Sequence, residues 1–184
     1  ISQEEELING LGPFGLPEAR INRAIEWFDP YELNELDSYL NDENDIAISI
    51  DSDIENEILQ IKVRFVSRNA LNTHKLVVYL LEDGLIADQS NYLNFDETSY
   101  FYNQGNPIID YEHNDVLRHT FTNVLGDQLG NIEPYEDVIN FYNIDLSTNN
   151  FQSENLRIVA FITDSENLTI NSQYVSVGEF QDFN

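Results

Sequence analysis

Residues 46–65 read IAISIDSDIENEILQIKVRF. Ile46, Ile48 and Ile50 alternate with small or polar neighbours. Leu59, Ile61, Val63 and Phe65 alternate again, leaving Gln60, Lys62 and Arg64 on the opposite side. Strict alternation is the period of a strand with one dry and one wet face. The acidic stretch 53–56 between the two runs supplies a turn, so the segment predicts a β-hairpin.

The same period continues downstream. Residues 74–81 are apolar on both faces, which predicts a central strand, and Glu82-Asp83-Gly84 ends it in a turn. Residues 87–107, rich in Asn, Asp and Tyr, predict a long ordered loop. The stretch 111–121, YEHNDVLRHTF, enters on polar residues and then sets Val116, Arg118 and Thr120 against Leu117, His119 and Phe121. Residues 138–146, 156–163 and 173–177 supply further strands. Short strands separated by turn signals, with no helical pattern after residue 41, predict a mainly β protein, an antiparallel immunoglobulin-like β-sandwich.

Upstream the period differs. Asp29-Pro30-Tyr31-Glu32 reads as a helix start, with Asp29 as cap, Pro30 at the first helical position and Glu32 completing a capping box. Leu33, Leu36 and Leu40 then form one apolar stripe that ends near Asn41. Residues 20–27 predict one strand, with Ile21 and Arg23 on one face and Asn22 and Ala24 on the other. Residues 1–9 read as a helix end stopped by Gly10 and Gly12. Gly10, Gly12 and Gly15 match G-x-G-x-x-G in form, but no apolar strand precedes them and Pro13 and Pro17 interrupt the run, so a tight loop is the better reading. The change of period near residues 42–45 divides the chain into 1–42, a strand–helix piece, and 43–184, the β-sandwich. The second is expected to fold by itself. Residues 1–41 are not, because one strand and one short helix bury too little apolar surface to offset chain entropy.

Charge narrows the partners. Among 184 residues, 34 are acidic and 8 basic, a formal net charge of −26. With apolar residues alternating so regularly, this is an acidic skin on a folded domain rather than a disordered chain. Such a field repels phosphates and anionic headgroups. Nucleic acid is therefore not expected as a partner, and the membrane only through a lipid anchor upstream of this sequence. The acidity suits both an extracellular setting and salt-rich water. The chain has no cysteine, which excludes disulfides, thiol redox chemistry and thiolate metal sites within it. No apolar run approaches the length of a membrane span. It starts at Ile1 without any methionine and is expected to be a mature or truncated product.

Three segments carry a family likeness: residues 76–84 (LVVYLLEDG), 111–118 (YEHNDVLR) and 156–162 (LRIVAFI), with the tail 168–177 also fitting. They resemble the C-terminal region of a Bacteroidetes outer-membrane lipoprotein family named for a twenty-eight-kilodalton surface antigen. The His113-Asn114-x-Val116-Leu117-Arg118 core is the most specific piece. The resemblance implies a thioredoxin-like domain followed by a β-sandwich. Gly15-Leu16-Pro17 before Ile21-Asn22-Arg23 is similar to the stretch where a thioredoxin-like fold carries its cis-proline, which would make Pro17 a structural residue. Residues 1–42 would then be the C-terminal remnant of that domain. The implied location is the outer membrane or cell surface of a Gram-negative bacterium, periplasm-facing being an alternative. The implied role is adhesion or receptor work.

Few residues point to chemistry. His113 and His119 with Glu112 and Asp115 suggest a metal. Six positions along a strand, however, separate the two rings by about 20 Å, and on a helix they would face opposite ways. The better reading has His113, Asn114 and Asp115 organising a loop entry and Arg118 pairing with a carboxylate. Asp51, Asp53 and Glu55 alternate like part of a calcium loop, but Asn56 and Lys62 stand where an EF-hand needs Gly and Glu. Calcium at these three remains the one cofactor candidate, against a solvated turn. Tyr92, Phe95, Tyr100, Phe101 and Tyr102 cluster in the long loop. Exposed, they would stack on a sugar or form hot spots for a protein. Buried, they would tie the loop down, which is the expectation for so long a loop. No G-x-S-x-G, phosphate loop or cysteine nucleophile is present. The expected function is therefore non-enzymatic: a surface or periplasm-facing lipoprotein domain that binds, adheres or scaffolds through an unknown protein or glycan at the cell surface. Two alternatives stand beside it, a calcium-dependent or carbohydrate-binding module, and an accessory domain of a thiol–disulfide oxidoreductase whose catalytic half is absent here.

Overall fold

The computed structural model describes residues 3–12, 19–27, 32–40 and 44–184. Helix α1 (Gln3–Leu11) ends at Gly12, whose φ of +61° suits a residue without Cβ. It runs through Gly10 rather than stopping there. A Cβ at Gly10 would lie 2.4 Å from Leu125 Cδ1, so the missing side chain is what lets α1 approach this loop of the sandwich.

Residues 20–27 are not one strand. β1 (Ala19–Ile21) and β2 (Ile25–Trp27) pair antiparallel through a three-residue connection, 22–24, in which Asn22 and Arg23 have φ of +52° and +65° and the Ala24 amide donates to the Ile21 carbonyl at 3.2 Å. The reversal has a partner at its tip. Arg23 Nη2 donates to the Tyr79 hydroxyl at 2.6 Å and to the Val124 carbonyl at 3.2 Å, and its guanidinium lies 4.5 Å from the Phe161 ring centroid. The amide of Thr169 donates to the Asn22 carbonyl at 3.0 Å. Of the helix expected at 29–41, Asp29 and Pro30 lie outside the described residues, as does Pro17. Tyr31 and Asn41 lie outside them too; the described part forms a 3-10 turn over Leu33–Leu36 and a single α-turn, α2 (Asp37–Leu40). Leu33 is exposed, so the expected stripe does not dock as a unit.

From Ile46 the chain is built of strands: β3 (Ile46–Glu55), β4 (Ile58–Ser67), β5 (Lys75–Glu82), β6 (Leu85–Gln89), β7 (Ile108–His113), β8 (Val116–Thr120), β9 (Asp127–Gln128), β10 (Asp137–Asp145), β11 (Leu156–Thr163), β12 (Thr169–Ser176) and β13 (Phe180–Gln181). The β3–β4 turn falls on Asn56 and Glu57, both left-handed, so β3 extends through the acidic stretch where the turn was expected. One sheet has the order β10-β4-β3-β13, the other β12-β11-β5-β8 with β9 also on β5. All pairings are antiparallel. Ile48, Ile50, Leu59, Ile61, Val63 and Phe65 from the first sheet pack against Leu76, Val78, Leu80, Ile158, Ala160 and Ile162 from the second, in one dry cluster. The alternation read in residues 46–65 is this inner face. The region expected to be loop from residue 87 instead begins with strand pairing. β6 and β7 form a hairpin of their own, an arm that leaves the sandwich between β5 and β8.

The root of that arm holds a buried charge. Between β5 and β8 the register shifts, Leu81 facing Leu117 and Leu80 facing His119, so Arg118 is an extra residue in a bulge. The bulge aims its guanidinium at Glu82, which is 0% exposed rather than part of a wet turn. Arg118 Nη1 donates to Glu82 Oε2, Glu82 Oε1 accepts from the Gln152 amide at 2.8 Å, and Arg118 lies 5.2 Å from the Phe151 ring centroid. Removing one member of a buried pair strands the other charge, at a cost of about 3–5 kcal/mol. Arg118→Met should therefore lower urea-unfolding stability by about that amount, and adding Glu82→Leu should recover at least half of the loss. A double variant as unstable as the sum of the singles would show that the two residues do not act as a pair. For the N-terminal hairpin, Arg23→Ala should speed amide exchange across β1 and β2 at least about tenfold while β5 and β11 exchange as before. Unchanged exchange in β1 and β2 would mean that Arg23 does not hold them.

Candidate recognition arm

The arm starts where residues 82–84 meet residues 113–115. The Asn114 side-chain oxygen accepts from the Gly84 amide at 2.8 Å, and Asp83 accepts from the Asp115 amide at 2.8 Å. Arg157 on β11 bridges both acids, at 2.5 Å to Asp83 and 3.2 Å to Asp115. His113 sits 3.3 Å from the Ala87 carbonyl, with its ring 5.0 Å from Tyr111. These residues therefore fix the direction in which β6 and β7 project.

At the far end the chain turns through residues 90–107, and polar groups rather than rings hold it. Asn91 is buried. Its Nδ2 donates to the carbonyls of Phe101 and Gly105, both at 2.9 Å, while its Oδ1 accepts from the Leu93 amide. Asn106 Oδ1 accepts from the Asn91 amide and Asn94 Oδ1 from the Gly105 amide. Asp96 caps the Thr98 amide and hydroxyl, bonds that hold its carboxyl below the usual carboxylate range. Both polar atoms of the Asn91 side chain are thus satisfied by backbone groups, and the loop is closed without a core.

The rings consequently stay outside. Tyr92, Phe95 and Tyr100 are 80%, 87% and 84% exposed, and Tyr102 is exposed too. This overturns the expectation of burial. Only Phe101 of the five is half-buried, edge-on to Tyr100 at 5.3 Å and tilted against Tyr111 at 6.4 Å. Ile86 and Ile109 add exposed apolar surface to the strands of the arm. Sequence reasoning missed Asn91 and Asn94, whose only signal was the asparagine richness of the segment.

The other candidates lie elsewhere. Asp51, Asp53 and Glu55 line the outer face of β3, opposite Lys62, Gln60 and Ile58 of β4, and not the inside of a loop. Alternate positions on a strand are about 7 Å apart. Asp51 and Asp53 border a shallow groove of about 440 Å³ shared with Gln60, Lys62, Phe141 and Asn143. His119 packs edge-on against Phe121 at 4.9 Å, on a different strand from His113, and burial pushes its pKa down. Among the described residues, no group of three or more His, Asp or Glu side chains is placed to hold a metal ion.

A protein of known structure shares this architecture. Over 95% of its length the chain is similar in fold to HBP35 of Porphyromonas gingivalis, with a TM-score of 0.67 at 14% identity, and it spans 57% of that protein's chain. A domain of the outer membrane lipoprotein Omp28 from the same organism gives a TM-score of 0.43 at 20% identity, over 73% of this chain and 96% of that one. No curated protein matches the sequence. The family model for outer membrane protein Omp28 matches residues 4–181, the family suggested by LVVYLLEDG, YEHNDVLR and LRIVAFI. The chain therefore belongs to the Omp28 family of outer membrane proteins.

Proposed function

We propose that this chain is the binding part of a surface lipoprotein and that the β6–β7 arm is its recognition element. The observation that carries the reading is the exposure of Tyr92, Phe95 and Tyr100 on a loop held by the buried amide of Asn91. Rings presented on a pre-ordered loop lose little entropy on binding, which is how aromatic side chains become hot spots. The root contacts at Asn114, Asp83 and Arg157 support this by fixing the arm on the sandwich. The strand order, with β3, β4 and β10 in one sheet and β12, β11, β5 and β8 in the other, supports the immunoglobulin-like reading of the scaffold. Phenol and phenyl faces suit both protein side chains and the C–H faces of sugars. The net charge of −26 disfavours an anionic target.

The test is retention of the full chain on intact bacterial and host cells, compared with a variant carrying Tyr92→Ser, Phe95→Ser and Tyr100→Ser. The variant should bind at least about tenfold more weakly while melting within about 2 °C of the parent, since exposed rings contribute little to folding. Equal retention would end the reading. Loss of the target on protease treatment of the cells would identify a protein partner, and loss on periodate treatment a glycan.

A calcium-dependent module makes a separate prediction. Charge repulsion on so acidic a surface should be relieved by screening, so the melting temperature should rise with sodium chloride up to a few tenths molar and then flatten. An ion bound at Asp51 and Asp53 would instead give a calcium gain that saturates at millimolar ion or below and exceeds that of magnesium. Equal responses to the two divalent ions would remove calcium from the proposal.

A further inference from the structure

Each sheet edge of the sandwich is treated differently. At β12 and β3 the C-terminal tail closes the gap. Asn184 Nδ2 donates to the Ser172 carbonyl at 2.8 Å, Asn184 Oδ1 accepts from the Ile48 amide at 3.2 Å, and Gln173 Nε2 donates to the Asp182 carbonyl at 3.2 Å. At β8 the edge is five residues long and broken by the Arg118 bulge. Short, bulged or covered edges are the usual defences against strand addition.

β10 has none of them. It pairs with β4 through nine consecutive residues, from Asp137 opposite Val66 to Asp145 opposite Ile58, with no shift of register. It contains no Pro, Lys or Arg, and none of its residues is buried. In an antiparallel ladder alternate residues turn their N–H and C=O away from the partner strand. On this side of β10 no described residue bonds the backbone from Asp137 to Ile144. Phe141 is 74% exposed and Ile139 is exposed beside it on the outer face, and the Asn140 side-chain Nδ2 is buried without an acceptor. The middle of the edge is uncharged, and its ends are Asp137, clasped by Arg64, and Asp145, with the acidic Glu136 and Glu57 adjoining them.

We propose that β10 is an open docking edge that takes an extended segment of a partner protein as a fifth strand of this sheet, a segment apolar at its centre and cationic at its ends. Main-chain bonds supply affinity in strand addition, and the side chains of alternate positions supply specificity. Here the incoming strand covers Phe141 and Ile139 and sets one terminal cation against Asp145 and the adjoining Glu57, and the other against Glu136, beside an Asp137 that Arg64 already clasps. Hydrogen bonds from Ser147 hold the Asp145 carboxyl below the usual carboxylate range, so it is anionic at neutral pH. A second copy of this chain is a poor occupant. Antiparallel self-pairing centred on Phe141 brings the Glu136–Asp137 end of one copy against the Asp145–Glu57 end of the other at both ends; Arg64 offsets only Asp137, and like charges facing each other destabilise a ladder.

The experiment uses the full chain and three synthetic peptides: KTVTVTVTK, the same peptide with proline in place of its central valine, and ETVTVTVTE. Amide exchange at alternate residues of β10 should slow at least about tenfold with the first peptide at about 1 mM, and not with the proline peptide. The glutamate-ended peptide should bind at least about tenfold more weakly, and Ile139→Lys, at an exposed position, should weaken the first peptide by a similar factor. Four results would overturn the proposal: no protection in β10, protection confined to residues 90–107, equal binding of the proline peptide, or concentration-dependent self-association that protects β10. Loss of the aromatic loop leaves this binding intact, so the outcome is separate from that for the arm.

Discussion

The buried carboxylate of Glu82 governs how this molecule is put together. It stands at the last position of β5, the strand that lies between β11 and β8 and carries the centre of one sheet. A dry carboxylate must be met by a cation and by donors. Arg118 and the Gln152 amide meet it from two directions. Each demand shapes the chain. Arg118 can reach only because β8 bulges there, and the Gln152 amide ties the β10–β11 connection to the same point. One ionic requirement thus joins β5, β8 and the connection before β11, and it does so where the β6–β7 arm departs. Asp83, Asn114 and Arg157 build outward from that point.

Cations are scarce here, and most of them serve as joints. Arg23 pins the N-terminal hairpin, Arg64 clasps Asp137 through two bonds of 2.6 and 2.8 Å, Arg118 meets Glu82, and Arg157 bridges Asp83 and Asp115. Arg20 donates to the Leu11 carbonyl at 2.7 Å, and Lys75 to Asn167 at 2.7 Å. The acidic surplus is therefore distributed over a surface with few positive interruptions, and the long-range field is uniform in sign. Specific attraction has to come from local chemistry rather than from a basic patch.

What the sequence disclosed reflects the physics of each signal. Period-two alternation is imposed by burial on one face, so Ile48, Ile50, Leu59, Ile61, Val63 and Phe65 announced the core directly. Residues 20–27 were misread as one strand because a reversal at Asn22 and Arg23 depends on what the tip touches, and Tyr79 and Phe161 are far away in sequence. Glu82 looked like a turn residue, since composition around Asp83 and Gly84 says nothing about a cation arriving from a bulge. The readings of His113, Asn114 and Arg118 came from the polarity of a strand entry, and the structure places these side chains at the arm root and on Glu82. The loop rings were misjudged for a general reason. Length predicts that a loop must be tied down, but not whether rings or amides do the tying.

Because Asn91 and Asn94 shape the loop through backbone groups, the shape does not depend on which side chains occupy positions 92, 95 and 100. If the arm is the recognition element proposed above, substitutions there would alter what it recognises without a matching loss of foldedness. On that reading an outer membrane protein built this way could drift toward new targets, or away from an antibody, one residue at a time, while its frame remains the same.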